Sequence, residues 1–218
     1  MSEDKTEPLQ LDLTDNPISQ VESRVVPTHA TRPPDGMEPR LIQARRVFAA
    51  LVAASANPPL KLKTEFDLVG IGRLRTAMLE NFRLSDQENP KDGSFTLSFE
   101  YRGREALVHV CASETVYKAL RKKLFDHDLS VKSVSSATAS KLIIDPIVQA
   151  TVTMTANRAR EMVSVTLRNV VMLGSTTYEL PVESIDRNLN DALVELITNR
   201  GRGFYALTVA ASQRRKGH

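Results

Sequence analysis

The chain has no tryptophan and one cysteine, and aromatic residues make up only 5% of its 218 positions. Each scarcity excludes something. With so few rings, the core is expected to rest on Leu, Val, Ile and Ala, and an aromatic-rich ligand platform is not expected. Cys111 alone can neither close an internal disulfide nor assemble a cysteine zinc site. Its setting, "ALVHVCA", reads as a small core residue. The longest apolar run, "VFAALVAA", is far shorter than the roughly 20 residues that cross a bilayer as a helix. The acidic opening "MSEDKTEPLQ" is followed by no signal-peptide h-region, and the Arg- and Ser-rich pattern of a transit peptide is missing. An intracellular, cytoplasmic protein without a membrane span is the expectation.

The charge is uneven. Residues 1–40 hold eight acids and four bases, net −4; the remaining 25 bases and 18 acids leave +7. A mildly basic folded part would suit an anionic partner, or an acidic tail that screens it. The bias falls well short of a dedicated nucleic-acid binder.

Residues 1–39 carry six of the eleven prolines, many Ser, Thr and Asp, and no apolar period, and read as a disordered acidic tail suited to docking on a partner. A helix is expected from about Glu38 on the spacing of Leu41, Ala44, Phe48 and Leu51, ended by Asn57-Pro58-Pro59. Leu60 to Leu68 alternates apolar and polar residues and predicts a half-exposed strand. Leu74, Ala77, Met78 and Phe82 fit a helix. Phe95 to Tyr101 and Ala106 to Cys111 read as a hairpin. Ser113 caps a helix bearing Val116, Tyr117, Leu120 and Leu124, and a short strand follows over Leu129 to Val134.

This order predicts an α+β protein. Residues 40–136 would form the first helix and a ferredoxin-like βαββαβ unit. Residues 140–211 would form a β-rich unit with one packed helix. Its strands are expected at "KLIIDP", Val148 to Met154, Met162 to Leu173 and Thr177 to Leu180, then a helix capped by Ser184 and closed at a left-handed Gly201, then a last strand in "GFYALTVAA". Residues 212–218 read as a frayed basic end.

Four motifs invite chemistry. The stretch "GIGRLR" sits between an expected strand and an expected helix, the setting of a phosphate loop. Arg75 stands where a dinucleotide fingerprint needs its third glycine, and the strand before it is charged on alternate positions. It reads as a turn, with Arg73 and Arg75 on an exposed first helical turn. "NRGRGFYALTV" partly echoes an RNA-recognition consensus, but Arg202 replaces the first stacking aromatic, and a helix end feeding a strand accounts for it. Arg200, Arg202, Arg214, Arg215 and Lys216 face no acid over residues 199–218, which would attract phosphates weakly. The triplet Asp126-His127-Asp128 has no second His or Cys at ligand spacing and reads as a loop.

No nucleophile motif, cofactor fingerprint or coherent catalytic set is visible. The expected function is therefore non-catalytic: an adaptor or structural subunit that binds other proteins, its own copies included, without a small-molecule cofactor or a metal. The alternative is RNA or DNA binding through a basic face, with Arg73, Arg75, Arg200, Arg202, Arg214, Arg215 and Lys216 as the contacts.

Overall fold

The computed structural model describes residues 36–56, 59–86, 93–135 and 140–216. Its elements run α1 (Met37–Ala54), β1 (Leu60–Leu68), β2 (Gly72–Asp86), β3 (Phe95–Arg102), β4 (Leu107–Cys111), α2 (Glu114–Asp126), β5 (Val131–Ser135), β6 (Ser140–Ile144), β7 (Ile147–Asn157), β8 (Met162–Arg168), β9 (Ser175–Pro181), α3 (Arg187–Asn199) and α4 (Gly203–Lys216). The α+β class is as expected. The tail over residues 1–35 and the loop over 87–92 lie outside the described residues.

Six strands form one sheet in the order β1-β2-β3-β7-β8-β9, with every neighbouring pair antiparallel. The chain leaves this sheet after Arg102 and returns at Ile147, which sits directly opposite Arg102. Everything between is an insertion: β4, α2, β5 and β6, with a second antiparallel sheet in the order β4-β6-β5. The Gly103 N–H donates to the Pro146 carbonyl across the base of the insertion. Strands from both expected units, residues 40–136 and 140–211, thus share the large sheet, which does not divide near residue 137.

The βαββαβ order is not found. Residues 60–135 run strand, strand, strand, strand, helix, strand. The expected helix over Leu74 to Phe82 is the middle of the 15-residue strand β2, whose Leu74 pairs with Phe66. Its register with β3 shifts between Glu80 and Arg83, around Asn81 at φ 57°. Its register with β1 also shifts, opposite Thr76 to Met78, and there the inward side changes phase: Leu74 and Thr76 are buried, then Leu79. A bulged strand loses its period of two, and here the apolar residues fall at spacings that imitate a helix. The expected hairpin of residues 95–111 is also absent: β3 pairs with β2 and β7, whereas β4 pairs with β6. The last expected strand is instead the start of α4. Phe204, Thr208 and Ala211 are buried at helical intervals, a pattern the run of aromatic and β-branched residues disguises.

The helices expected from about Glu38 and after Ser113 and Ser184 are present as α1, α2 and α3. α1 buries Leu41, Ala44, Phe48 and Leu51. The Ser113 hydroxyl accepts from the Val116 N–H at the start of α2. In α3 the cap is Asp186, whose carboxylate accepts from the Leu189 N–H, and the left-handed residue at its end is Arg200, not Gly201.

α1 and α3 meet each other, α3 meets α4, and all three helices contact the large sheet, whose inner face carries Phe66, Phe95, Leu97, Phe99, Tyr101, Val148, Val152 and Val165. The core is less aliphatic than composition suggests. Phe48, Phe66, Phe95, Phe99, Tyr101 and Phe204 are all fully buried, with Phe66 and Phe99 edge-on to Tyr101 at 5.1 and 5.5 Å between ring centres. Each buried ring contributes about 1.5–3 kcal/mol from burial alone. Among the described residues no helix is long and apolar enough to cross a membrane.

Candidate interaction surface

Of the basic residues named above, Arg73 and Arg75 lie on β2, and Arg200 and Arg202 lie at the turn between α3 and α4. Gly70 and Gly72, at φ 84° and 144°, turn β1 back into β2, with the Ile71 N–H donating to the Leu68 carbonyl. A hairpin follows the glycines, so no helix N-terminus points amides at a phosphate there. Arg73 and Arg75 project from β2, and both meet Glu65, at 3.5 and 3.0 Å. Exposed pairs of this kind contribute little to stability.

Arg200 is turned inward. Its Nη2 donates to the Val171 carbonyl at 2.5 Å, and its guanidinium lies 5.6 Å from the centre of the Phe66 ring. The Tyr101 hydroxyl donates to the neighbouring Val170 carbonyl. Burial pushes the Tyr101 phenol well above its ordinary range, with the Arg200 charge opposing. Arg200 is thus a clamp on the loop between β8 and β9. Arg202 is exposed in the α3–α4 turn. Arg214, Arg215 and Lys216 fall in the last turn of α4, and their side chains lie outside the described residues.

Asn169 in the same loop was not anticipated. It is buried at φ 53°, and its Nδ2 donates to the carbonyls of His127 and Gln149, each at 3.0 Å. Its Oδ1 accepts from the Gly174 N–H at 2.8 Å. One side chain so ties the loop to the end of α2 and to β7. His127 caps α2, and Asp128 pairs with Arg168 at 2.6 Å. Among the described residues no three His, Cys, Asp or Glu side chains gather as a metal site requires. Cys111 is buried, and its thiol is pushed up by that burial and by Glu114.

The inserted sheet presents the surface with most to offer. Alternation along each strand sends side chains to opposite faces. Leu107 and Cys111 from β4, Leu142 and Ile144 from β6, and Val131 from β5 point inward, and α2 packs on all three strands with Tyr117 and Leu124 buried. The register fixes the other face as two rows of three. Val108 pairs with Ile143, which pairs with Lys132; Val110 pairs with Lys141, which pairs with Val134. Val108, Val110 and Val134 are 57%, 56% and 49% exposed. Among the described residues, both outer strands of this sheet have a hydrogen-bonded partner strand on one side only.

The two lysines differ. Lys132 reaches Asp145 at 3.4 Å. Asp145 also accepts from the Ser130 hydroxyl, and that bond, aided by Lys132, lowers its carboxyl below the usual range. Lys141, on the central strand, meets no acid among the described residues.

Sequence could not reveal this face, because "ALVHVCA" is apolar at six of seven positions and shows no outward side. Comparison of the chain with models of known protein families, with curated proteins and with solved structures returns no match.

Proposed function

We propose that this protein is a non-catalytic binding subunit, an adaptor or structural component of a protein assembly, that engages its partner through the inserted sheet. The observation that carries the reading is the outer face of β4, β6 and β5, where three valines are exposed on a sheet whose outer strands, among the described residues, are hydrogen-bonded on one side only. Isolated apolar residues on a surface are ordinary, but several grouped on one face of a sheet with unpaired strand edges are where a partner or an aggregating neighbour can add. The test is affinity purification with the full chain and with Val108→Glu as paired baits, read by quantitative mass spectrometry. Light scattering is run on both in parallel. Loss of a defined protein set, or of self-association, on the variant supports the reading. Identical capture and identical mass for both would overturn it.

A second reading, RNA or DNA binding, draws on α2. Arg121, Lys122 and Lys123 are exposed on this helix and meet no acid among the described residues, whereas Lys118 is 3.6 Å from Glu114. A mobility shift that weakens linearly on a log–log salt plot would favour it. No shift at low salt would remove it.

A further inference from the structure

We infer that the outer face of the inserted sheet recognises a short protein segment in which a single carboxylate is flanked by apolar side chains, with Lys141 as the residue that receives the carboxylate. The inference rests on the proposed binding role of this face and names its occupant.

The pairing register supplies the geometry. Lys141 lies on the middle strand with Val110 on one side and Val134 on the other; two residues along, Ile143 continues the strand beside Val108. One uncommitted ammonium is therefore framed by four apolar side chains. Lys132 occupies the corner and is already shared with Asp145. Strands lie about 4.8 Å apart, and alternate residues along one strand are about 6.8 Å apart. Two rows across three strands thus cover about 10 by 7 Å, the footprint of one peptide segment and much less than a standard protein–protein interface.

The charge decides among occupants. While the face is in water, the lysine stem covers apolar surface and the ammonium stays hydrated. Any partner that covers the valines removes that hydration. A wholly apolar partner would bury an unpaired ammonium, which costs several kcal/mol. A second copy packed face to face about a two-fold axis would bury a second Lys141, and none of the six outward residues of this face is an acid that could pair with either. A nucleic-acid backbone would satisfy the ammonium but give the four aliphatic side chains nothing to pack on. A carboxylate ringed by apolar groups satisfies both parts of the face at once.

The experiment selects a random-peptide display library on the immobilised full-length protein, then measures selected synthetic peptides in solution against wild type, Lys141→Glu, Lys141→Met and Val110→Asp. Circular dichroism melts of the full chain confirm that each variant is folded. The expected result is enrichment of peptides with one Asp or Glu between Val, Ile, Leu or Phe. Their affinity should fall about tenfold or more on Lys141→Glu, the scale of a lost charge-assisted bond. Exchanging the peptide acid for Lys should restore binding to Lys141→Glu. Peptides that depend on Val110 but bind Lys141→Glu and Lys141→Met as well as wild type would overturn the inference and leave the binding role of the face standing. Peptides insensitive to all three variants, or no enrichment at all, would overturn both. A wild-type dimer that Lys141→Glu abolishes would replace the peptide with a second copy, and an oligonucleotide that displaces the selected peptides and loses its own binding on Lys141→Glu would likewise overturn it.

Discussion

At the scale of single residues, one buried polar side chain, Asn169, holds the loop between β8 and β9. Asn169 satisfies two carbonyls and one amide from three different segments. Asn169→Ala would leave all three without a partner, in a left-handed conformation that alanine tolerates poorly. A loss of about 2–4 kcal/mol is expected, read from urea denaturation midpoints. Asn169→Gly keeps the backbone conformation and loses the same bonds, so it should fall short of the alanine variant's loss by roughly 1 kcal/mol. Equal loss in the two would show that backbone strain plays no part there.

Tyr101 carries a pH dependence of definite sign. In the unfolded chain its phenol ionises near the ordinary value of 10.0, and in the folded chain burial pushes it higher. Between those values the unfolded state has given up a proton that the folded state keeps, so raising the pH favours unfolding. The stability this phenol contributes is complete below about pH 10 and falls above it by at most ~1.4 kcal/mol per pH unit. Tyr178 and Tyr205 are raised chiefly by burial too, and the charge of Tyr178 adds to the rise at Tyr205. Tyr101→Phe forfeits the bond to the Val170 carbonyl, about 1 kcal/mol, yet should flatten the alkaline loss. Denaturation midpoints of both proteins across pH 9 to 11 would check it, and parallel curves would count against the buried phenol as the cause.

At the scale of elements, Gly103 marks where β3 stops and the insertion begins. A Cβ there would stand 2.1 Å from the Arg75 carbonyl oxygen and 3.0 Å from the Pro146 Cβ. The first neighbour is backbone of β2, so relief requires moving a strand. Gly103→Ala should cost about 2–4 kcal/mol, visible as a lowered melting temperature. An unchanged melt would mean that the junction between the sheet and the insertion is soft.

Elements held by local signals were legible. α1 and α2 announced themselves through helical spacing and a serine cap, and β7 through strict alternation from Val148 to Met154. The failures share a physical cause. β2 carries its bulge where the alternation would have been diagnostic, and α4 begins with residues that prefer strands. The partners of β3 and β4 are chosen by pairings across 40 or more intervening residues in β3–β7 and about 30 in β4–β6, which no local pattern encodes. The candidate face was invisible for the same reason. Val108, Ile143 and Lys132 are neighbours only through register, as are Glu65 and the Arg73 and Arg75 that meet it.

At the scale of the whole molecule, the two sheets differ in how firmly they are held. β3 and β7 are each flanked on both sides by long strands and bury Leu97, Phe99, Val148 and Val152 under the helices. The inserted sheet has five-residue strands, one covering helix and one face in water. Opening it exposes far less apolar area than opening the large sheet, so it should open at lower free energy. Amide hydrogen exchange should therefore be slowest in the centres of β3 and β7 and faster in β4 and β5, with β6 between, because β6 alone in its sheet is paired on both sides. If β4 and β5 instead exchange with the same free energy as β3, the ties through Asn169 and Gly103 make the insertion part of one cooperative unit. The same measurement bears on binding. A segment seated on Val110, Lys141 and Val134 must be released before the inserted sheet opens, so a selected acidic peptide should slow exchange in β4, β5 and β6 and leave β3 and β7 unchanged. Slowing in all strands alike would place the peptide elsewhere.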